Sequence, residues 1–337
     1  MTSEDTMPRI PFFLLGFASL IIIIAGVKLA EDFILPLLLA VFISILTMPL
    51  LFWFKRKKVN NAVSLLLILG LLALIFSVFG TIVAVSTADL LDNIPFYEAQ
   101  LKSKLGLFYS EVQTLGILDA VNFQDLINPS SAFQYISVGI AQIGSVLAQS
   151  LLILIVVAFM LVEASRVYTK CHEQGNKKLE TALSFIHKVN QYMAIKAIVS
   201  LFTGLCVTIF LSLVGIHYPV LWGLLAFVLN FVPNIGSIMA AIPVILLAII
   251  QYGIYMGLIV FLAYLAVNFI FGNVIEPRYL GKQLGLSPLV VILSLIFWGW
   301  IFGPIGMLLA VPLTIVVKFA LESVESTKWI AMMMEGE

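Results

Sequence analysis

Charged residues are scarce in this chain, and their scarcity excludes a water-soluble fold. Only 11% of the 337 residues are Asp, Glu, Lys or Arg, whereas soluble domains carry about 25%. Hydrophobic residues make up 62%, and the mean hydropathy is +1.13. Because no fold in water hides so much apolar surface, we infer that the solvent is lipid. The 18 basic and 18 acidic residues cancel, which argues against nucleic acid, since that partner requires a basic face.

Motifs for catalysis, nucleotides and metals are also missing. The chain has no GxxxxGK[ST] phosphate loop, and therefore no ATP motor of its own, and no GxSxG nucleophile turn. The three histidines (His172, His187, His217) are scattered without the spacing of a metal site. Cys171 lies in a basic stretch and Cys206 in an apolar run, so we expect no disulfide between them. We therefore expect neither an enzyme nor a cofactor or metal site.

The chain does have a series of apolar runs, each close to the length of a membrane span. A spanning helix needs about 20 apolar residues. We predict an all-α polytopic membrane protein with about eight hydrophobic helical segments, comprising six full spans and two re-entrant-like helical hairpins. The six spans are predicted at 11–30, 33–54, 61–87, 141–163, 191–215 and 253–272.

Charge between the spans predicts their orientation. The densest basic cluster, Lys55–Lys58, faces the cytoplasm by the positive-inside rule, which also places both termini there. The acidic segment 88–140 then lies outside, with apolar positions at helical spacing. It is either a helical cap or oligomer contact, or a ligand-recognition element. The predicted regions are 1–87 (three spans), 88–140 (extracytoplasmic amphipathic segment), 141–190 (a span and a basic cytoplasmic loop), 191–251 and 252–320 (two repeat units), and 321–337 (a cytoplasmic tail).

One stretch occurs twice, and each copy interrupts an apolar run. Residues 231–243 read FVPNIGSIMAAIP, and residues 301–312 read IFGPIGMLLAVP. Broken segments at corresponding places in two halves point to the binding site of a secondary transporter. Because one full span separates the two hairpins, they enter the membrane from opposite sides as an inverted repeat. The matching pairs are Ile235 with Ile305, Gly236 with Gly306, Ala240 with Ala310, and Pro243 with Pro312.

Polar and helix-breaking residues at membrane depth form the candidate site, since such residues are costly in lipid. Amide side chains both donate and accept hydrogen bonds, which suits a small polyhydroxylated or carbonyl solute. The alternative for each amide is a structural hydrogen bond between helices. The substrate-binding or gating candidates are Asn230, Pro233, Asn234, Gly236, Ser237, Asn268, Asn273, Gly303, Pro304 and Gly306.

Two charged residues beside Pro277 are candidates for ion coupling. Glu276 is the one carboxylate near membrane depth in the C-terminal half before Glu322, and Arg278 follows it closely. Glu276 would carry a proton or a cation during transport. The alternative is an interfacial ion pair of Glu276 with Arg278 or Lys282.

These motifs resemble those of a known family. Asn273–Pro288 reads NVIEPRYLGKQLGLSP and continues LVVILSLIFWGWIFGPIGMLLAVPLTIVVK. This run is similar to the C-terminal signature of the autoinducer-2 exporter (AI-2E) family of bacterial inner-membrane proteins. NFVPNIG at Asn230–Gly236 and AIP at Ala241–Pro243 resemble the other signature of that family. The resemblance is specific over about 217–320, and EPRYLGK and FWGWIFGPIGMLLAVPL resemble the quorum-signal exporter type.

The resemblance implies a function and an assembly. It implies export of autoinducer-2, or of a related small polar solute, by a secondary transporter in the cell inner membrane. It also implies a homo-oligomer, a pentamer, in which a hairpin-bearing half moves like an elevator against a scaffold half. Membrane lipid and a small-molecule solute are then the expected partners. A monovalent cation (Na⁺)/proton antiporter using Glu276 remains the alternative, and a non-transporting scaffold that recruits partners through 88–140 is a third hypothesis.

Overall fold

Helices alone build the part of the chain that the structure describes. The computed structural model describes residues 9–97, 99–100, 103, 149–174, 177–233, 235–280 and 286–336. Over these residues there is no β-strand, and five helices are long and apolar enough to cross a membrane. The predicted all-α polytopic class is confirmed. Most of the acidic segment 88–140, and Asn234, lie outside the described residues.

The first three helices are α1 (Arg9–Leu29), α2 (Glu31–Arg56) and α3 (Asn61–Asp92). Only Ala30 separates α1 from α2, so the short link predicted between them is almost entirely helical. Lys55 and Arg56 lie in the last turn of α2, where cations interact favourably with the helix dipole. Asn60 caps α3, because its side chain accepts the amide N–H of Ala62 at 3.1 Å.

The next two helices correct a predicted boundary. Helix α4 spans Ser150–Gln174 and α5 spans Lys177–Val214. The stretch predicted as a basic cytoplasmic loop before residue 190 is therefore helical in both its described parts. Its Lys, Glu and Gln residues are good helix formers, so the two helices continue beyond the apolar spans. Charge marked the end of the apolar span and not the end of the helix.

The first predicted hairpin corresponds to α6 (Pro219–Leu229) and α7 (Gly236–Tyr252), which are separated by a break. After it come α8 (Ile254–Asn268), a π-helix (Phe269–Ile275) and α9 (Glu276–Leu280). The chain is helical without interruption from Ile254 to Leu280, so Glu276 and Arg278 both lie on a helix.

The second hairpin lies within α10 (Pro288–Glu322), whose helical geometry fails only at Phe302 and Gly303. Gly303 has φ 62° and ψ −151°, a conformation open to glycine but strained for residues with a side chain. Trp298 Nε1 donates to Thr314 Oγ1 at 3.0 Å, although 16 residues separate them. A straight helix would place them about 24 Å apart, so the two legs fold back on each other.

The repeated glycines have the same structural role in both hairpins. A Cβ atom on Gly236 would lie 1.8 Å from the carbonyl oxygen of Leu229. A Cβ atom on Gly306 would lie 1.9 Å from the carbonyl oxygen of Trp298. In each hairpin, only glycine allows the second leg to approach the end of the first leg so closely.

The second hairpin contacts both the first hairpin and the C-terminal residues that follow it. Val232, at the break of the first hairpin, packs with Leu295 and Ala310 from the two legs of the second. Beyond α10, a 3₁₀ turn (Glu325–Thr327) and α11 (Lys328–Met333) fold back, so that the N–H of Ser287 donates to the carbonyl of Met334 at 2.9 Å. The predicted tail after residue 320 is therefore packed against the start of α10.

Candidate functional site

A polar cavity of about 240 Å³ lies where the break of the first hairpin meets α5, α8, the π-helix and α9. Six of the residues predicted from the sequence line it: Asn230, Pro233, Ser237, Asn268, Asn273 and Glu276. Lys196, Val232 and Gly272 complete its wall. The cavity therefore collects side chains from positions spread over 80 residues of sequence.

An ion pair forms the charged wall of the cavity. Lys196 Nζ lies 2.6 Å from Oε1 and 2.8 Å from Oε2 of Glu276, so it bridges both carboxylate oxygens. The side chain of Lys196 is 3% exposed and that of Glu276 is 16% exposed. Charges this deep need a close partner, because an isolated ion loses its hydration without compensation. Together the two side chains carry no net charge.

Two amides contribute hydrogen bonds between helices at the cavity. Asn230 Nδ2 donates to Ser200 Oγ at 2.9 Å and ties the first hairpin to α5. Asn268 Nδ2 donates to Ser237 Oγ and ties α8 to α7. The bonds between helices considered as the alternative are present, yet both amides also line the cavity. Each amide uses an N–H on a serine, so its carbonyl oxygen is the group with acceptor capacity left.

The π-helix places Glu276 in the cavity. It covers Phe269–Ile275 and ends where the amide N–H of Glu276 donates to the carbonyl of Phe271, five residues earlier. Such wide turns are rare in proteins, and those that do occur are often found at functional sites. Gly272 and Asn273 of this segment line the cavity beside Glu276.

Lys196 is the charged residue of the site that the sequence does not predict; Val232 and Gly272 are the other two lining residues absent from the predicted set. Lys196 lies inside the apolar run predicted as the span 191–215, where an ionisable side chain is itself a signal of function. Arg278 is exposed, and the ion pair that the structure shows for Glu276 is with Lys196. Lys282 lies outside the described residues.

The candidates from the second hairpin lie elsewhere. Gly303, Pro304 and Gly306 do not line the 240 Å³ cavity. A Cβ atom on Gly303 would lie 4.0 Å from Oε1 of Glu31, at the junction of α1 and α2. At this junction Lys28 Nζ donates to the carbonyl of Trp300 at 2.8 Å. The tip of the second hairpin is thus held by the N-terminal helices.

A second polar cluster closes the far end of α3. Tyr97 Oη lies 2.8 Å from His217 Nδ1, and Asn93 Nδ2 donates to Tyr218 Oη at 3.3 Å. With Asp89 and Phe96, these residues line a cavity of about 300 Å³. Burial raises the pKa of Tyr97 and of Tyr218 above the ordinary value for tyrosine. In the part of the chain that the structure describes, no three His, Cys, Asp or Glu side chains cluster as metal ligands do.

Comparison with known proteins gives matches over nearly the whole chain. The model of a family described as AI-2E family transporter matches residues 17–326. The AI-2 transport protein TqsA of Escherichia coli is 34% identical over 319 residues, which cover 94% of this chain and 93% of that protein. A putative transport protein of Haemophilus influenzae is 35% identical over 331 residues, or 95% of each chain. A sodium-lithium/proton antiporter of Halobacillus andaensis is 24% identical over 315 residues, 86% of this chain and 89% of its own.

Proposed function

Because the chain belongs to the AI-2E family of transporters, we propose that it exports a small polar solute, autoinducer-2 or a related quorum-signal metabolite. Membership and the apolar helices make it a multi-pass membrane transporter. The proposal includes the identity of the solute and export as the direction of transport. It also includes the location of the protein in the bacterial inner membrane with both termini in the cytoplasm.

The observation that carries the proposal is the cavity at Asn230, Asn268 and the Lys196–Glu276 pair. Its volume of about 240 Å³ corresponds to about eight water molecules at ~30 Å³ each, which suits a small metabolite and not a peptide or a lipid. Its charges cancel, and its amide and hydroxyl groups both donate and accept hydrogen bonds. This chemistry favours an uncharged solute with hydroxyl or carbonyl groups.

The two hairpins supply the proposed movement. A site at a broken helix in an inverted repeat can open to either side when one part of the protein moves against the other. We assign the moving part to the first hairpin with α5 and α8, which carry the cavity. The N-terminal helices, which hold the tip of the second hairpin through Lys28, belong to the scaffold in this scheme. Homo-pentamer formation is proposed from the family resemblance alone.

Antiport of a monovalent cation against protons is the second candidate function. It is favoured by the carboxylate of Glu276 inside the cavity, because a carboxylate can bind either a cation or a proton. A relative whose name describes sodium-lithium/proton antiport shares 24% identity with the chain. Flux that follows a sodium or proton gradient and is lost in Glu276→Gln would favour this function over solute export.

The test of solute export uses proteoliposomes loaded with a panel of small polar solutes. We expect Asn230→Ala and Asn268→Ala to reduce efflux of the transported solute at least about tenfold, because each removes a polar group from the cavity wall. Asn60→Ala is the control, since Asn60 lies outside the cavity and its side chain caps α3 within the N-terminal helices. The double change of Asn234 and Pro304 to Ala tests the two hairpin breaks. Normal efflux in all three cavity and break variants would refute the site.

A further inference from the structure

The backbone beside Glu276 leaves one carbonyl oxygen without its helical donor. In a π-helix, the amide of residue i+5 donates to the carbonyl of residue i, and in an α-helix the amide of residue i+4 does so. For Gly272, the i+4 amide is that of Glu276, which donates to Phe271 instead. The i+5 residue is Pro277, which has no N–H. The carbonyl of Gly272 therefore lacks both its α-helical and its π-helical donor.

The residue that carries this carbonyl, Gly272, lies in the wall of the polar cavity. Glu276 also lines this cavity, as do Asn268 and Asn273, whose side chains carry amide groups. A backbone carbonyl without its usual helical donor, a carboxylate and amide oxygens are the kinds of oxygen ligand that hard monovalent cations take when they lose water. Broken membrane helices use such carbonyls for coupling ions in secondary transporters.

A cation is already bound by the carboxylate in this structure, and it is the ammonium group of Lys196. Lys196 Nζ bridges both oxygens of Glu276. The side chain is tethered to α5, whereas Glu276 begins α9. A flexible lysine side chain ending in a compact charge can leave such a site without any change of backbone.

We propose that Gly272 and Glu276 form a sodium site and that Lys196 is a tethered cation that fills it while sodium is absent. Sodium binds the carboxylate of Glu276 and the carbonyl of Gly272, and the ammonium group of Lys196 moves to the amide oxygens of Asn230 and Asn268 in the same cavity. The carboxylate is therefore always neutralised by one positive charge. The use of this site for coupling rests on the proposed transport function, whereas binding of sodium does not.

Binding is measured on the purified full-length protein in detergent. Radioactive sodium is titrated at constant ionic strength, with choline chloride as the balancing salt, and sodium-dependent thermal stabilisation is the second readout. We expect saturable binding to the wild type, loss of binding in Glu276→Gln, and about tenfold or more tighter binding in Lys196→Met, because the competing cation is gone. Retained binding in Glu276→Gln, or unchanged affinity in Lys196→Met, would overturn the proposal.

The carbonyl is tested separately with Pro277→Ala. Alanine restores an N–H that can bond the carbonyl of Gly272, so we expect sodium affinity to fall several-fold. Pro277 is exposed, so little packing is lost. Pro288→Ala is the matched control, because Pro288 is the first residue of α10 and lies outside the cavity. Equal affinity in Pro277→Ala and Pro288→Ala would remove the carbonyl from the site.

These measurements separate the two hypotheses. Sodium binding with the predicted variant pattern but no solute efflux in proteoliposomes contradicts solute export alone. Solute efflux without sodium binding contradicts the sodium site alone, and binding of protons only would appear as flux that follows a pH gradient and ignores sodium. Pro277→Ala keeps the proposal refutable even where Lys196→Met or Glu276→Gln fails to fold, because Pro277 is exposed.

Discussion

Removing one member of the Lys196–Glu276 pair is expected to destabilise the protein more than removing both. With side-chain exposures of 3% and 16%, neither group has water to replace a lost partner. Lys196→Met leaves a buried carboxylate unpaired, which costs about 3–5 kcal/mol. Glu276→Gln leaves a buried ammonium, with a cost of the same order. The double variant carries no charge here, and such neutral replacements are often close to the wild type in stability.

If the double variant matches the wild type, neither single cost recurs in it, so the coupling energy of the double-mutant cycle is about 6–10 kcal/mol, which is more than about four orders of magnitude in the unfolding equilibrium. The assay is equilibrium unfolding in mixed detergent micelles with increasing sodium dodecyl sulfate, followed by tryptophan fluorescence. All four proteins (wild type, Lys196→Met, Glu276→Gln and the double variant) are compared in one detergent. Additive effects, each below about 1 kcal/mol as for exposed pairs, would refute the conclusion that the pair is buried and mutually dependent.

Two further predictions concern packing and pH. Gly236→Ala and Gly306→Ala should each destabilise the protein by several kcal/mol in the same unfolding assay, because the new Cβ overlaps a carbonyl oxygen. Gly70→Ala is the control, because there is open space around Gly70. Equal stability of the three variants would contradict the close approach of the two legs in each hairpin. Burial raises the pKa of Tyr97 in the folded state, so its contribution to stability is complete below about pH 10 and is lost as pH rises through the folded-state pKa. Between about pH 9 and 12, the free energy of unfolding should fall less in Tyr97→Phe than in the wild type or in the control Tyr255→Phe. The same dependence of the unfolding free energy on pH in all three proteins would be inconsistent with this.

The cavity could be predicted in part from the sequence because its residues mark themselves locally. Pro233 breaks an apolar run, and Asn230, Asn268 and Glu276 are polar at membrane depth, so each is visible without any knowledge of its neighbours. Their meeting in one cavity is a tertiary fact. Lys196 does not stand out in the sequence because its partner, Glu276, lies 80 residues away, and Arg278 and Lys282 are closer to Glu276 along the chain.

The geometry of the backbone was harder to predict than the identity of the residues. The span predicted to end at residue 272 continues as a π-helix and then as α9. One extra residue in a turn changes neither the composition nor the apolar length of a span, which were the signals used. The basic stretch before residue 190 is predicted as a loop for a related reason, since charge shows where lipid ends and not where a helix ends.

The number of residues in the π-helix also fixes the direction in which the side chain of Glu276 points. In an α-helix, each residue adds a rotation of about 100° around the helix axis. The wider turns of Phe269–Ile275 hold more residues per turn, so each residue there adds a smaller rotation. Deletion of Gly272 would let this segment close into α-helical turns and rotate the carboxylate by about 100° relative to α8, away from Lys196. Every side chain of the pair would still be present. A change of one residue in length would therefore disconnect the ion pair as effectively as replacing Glu276 itself.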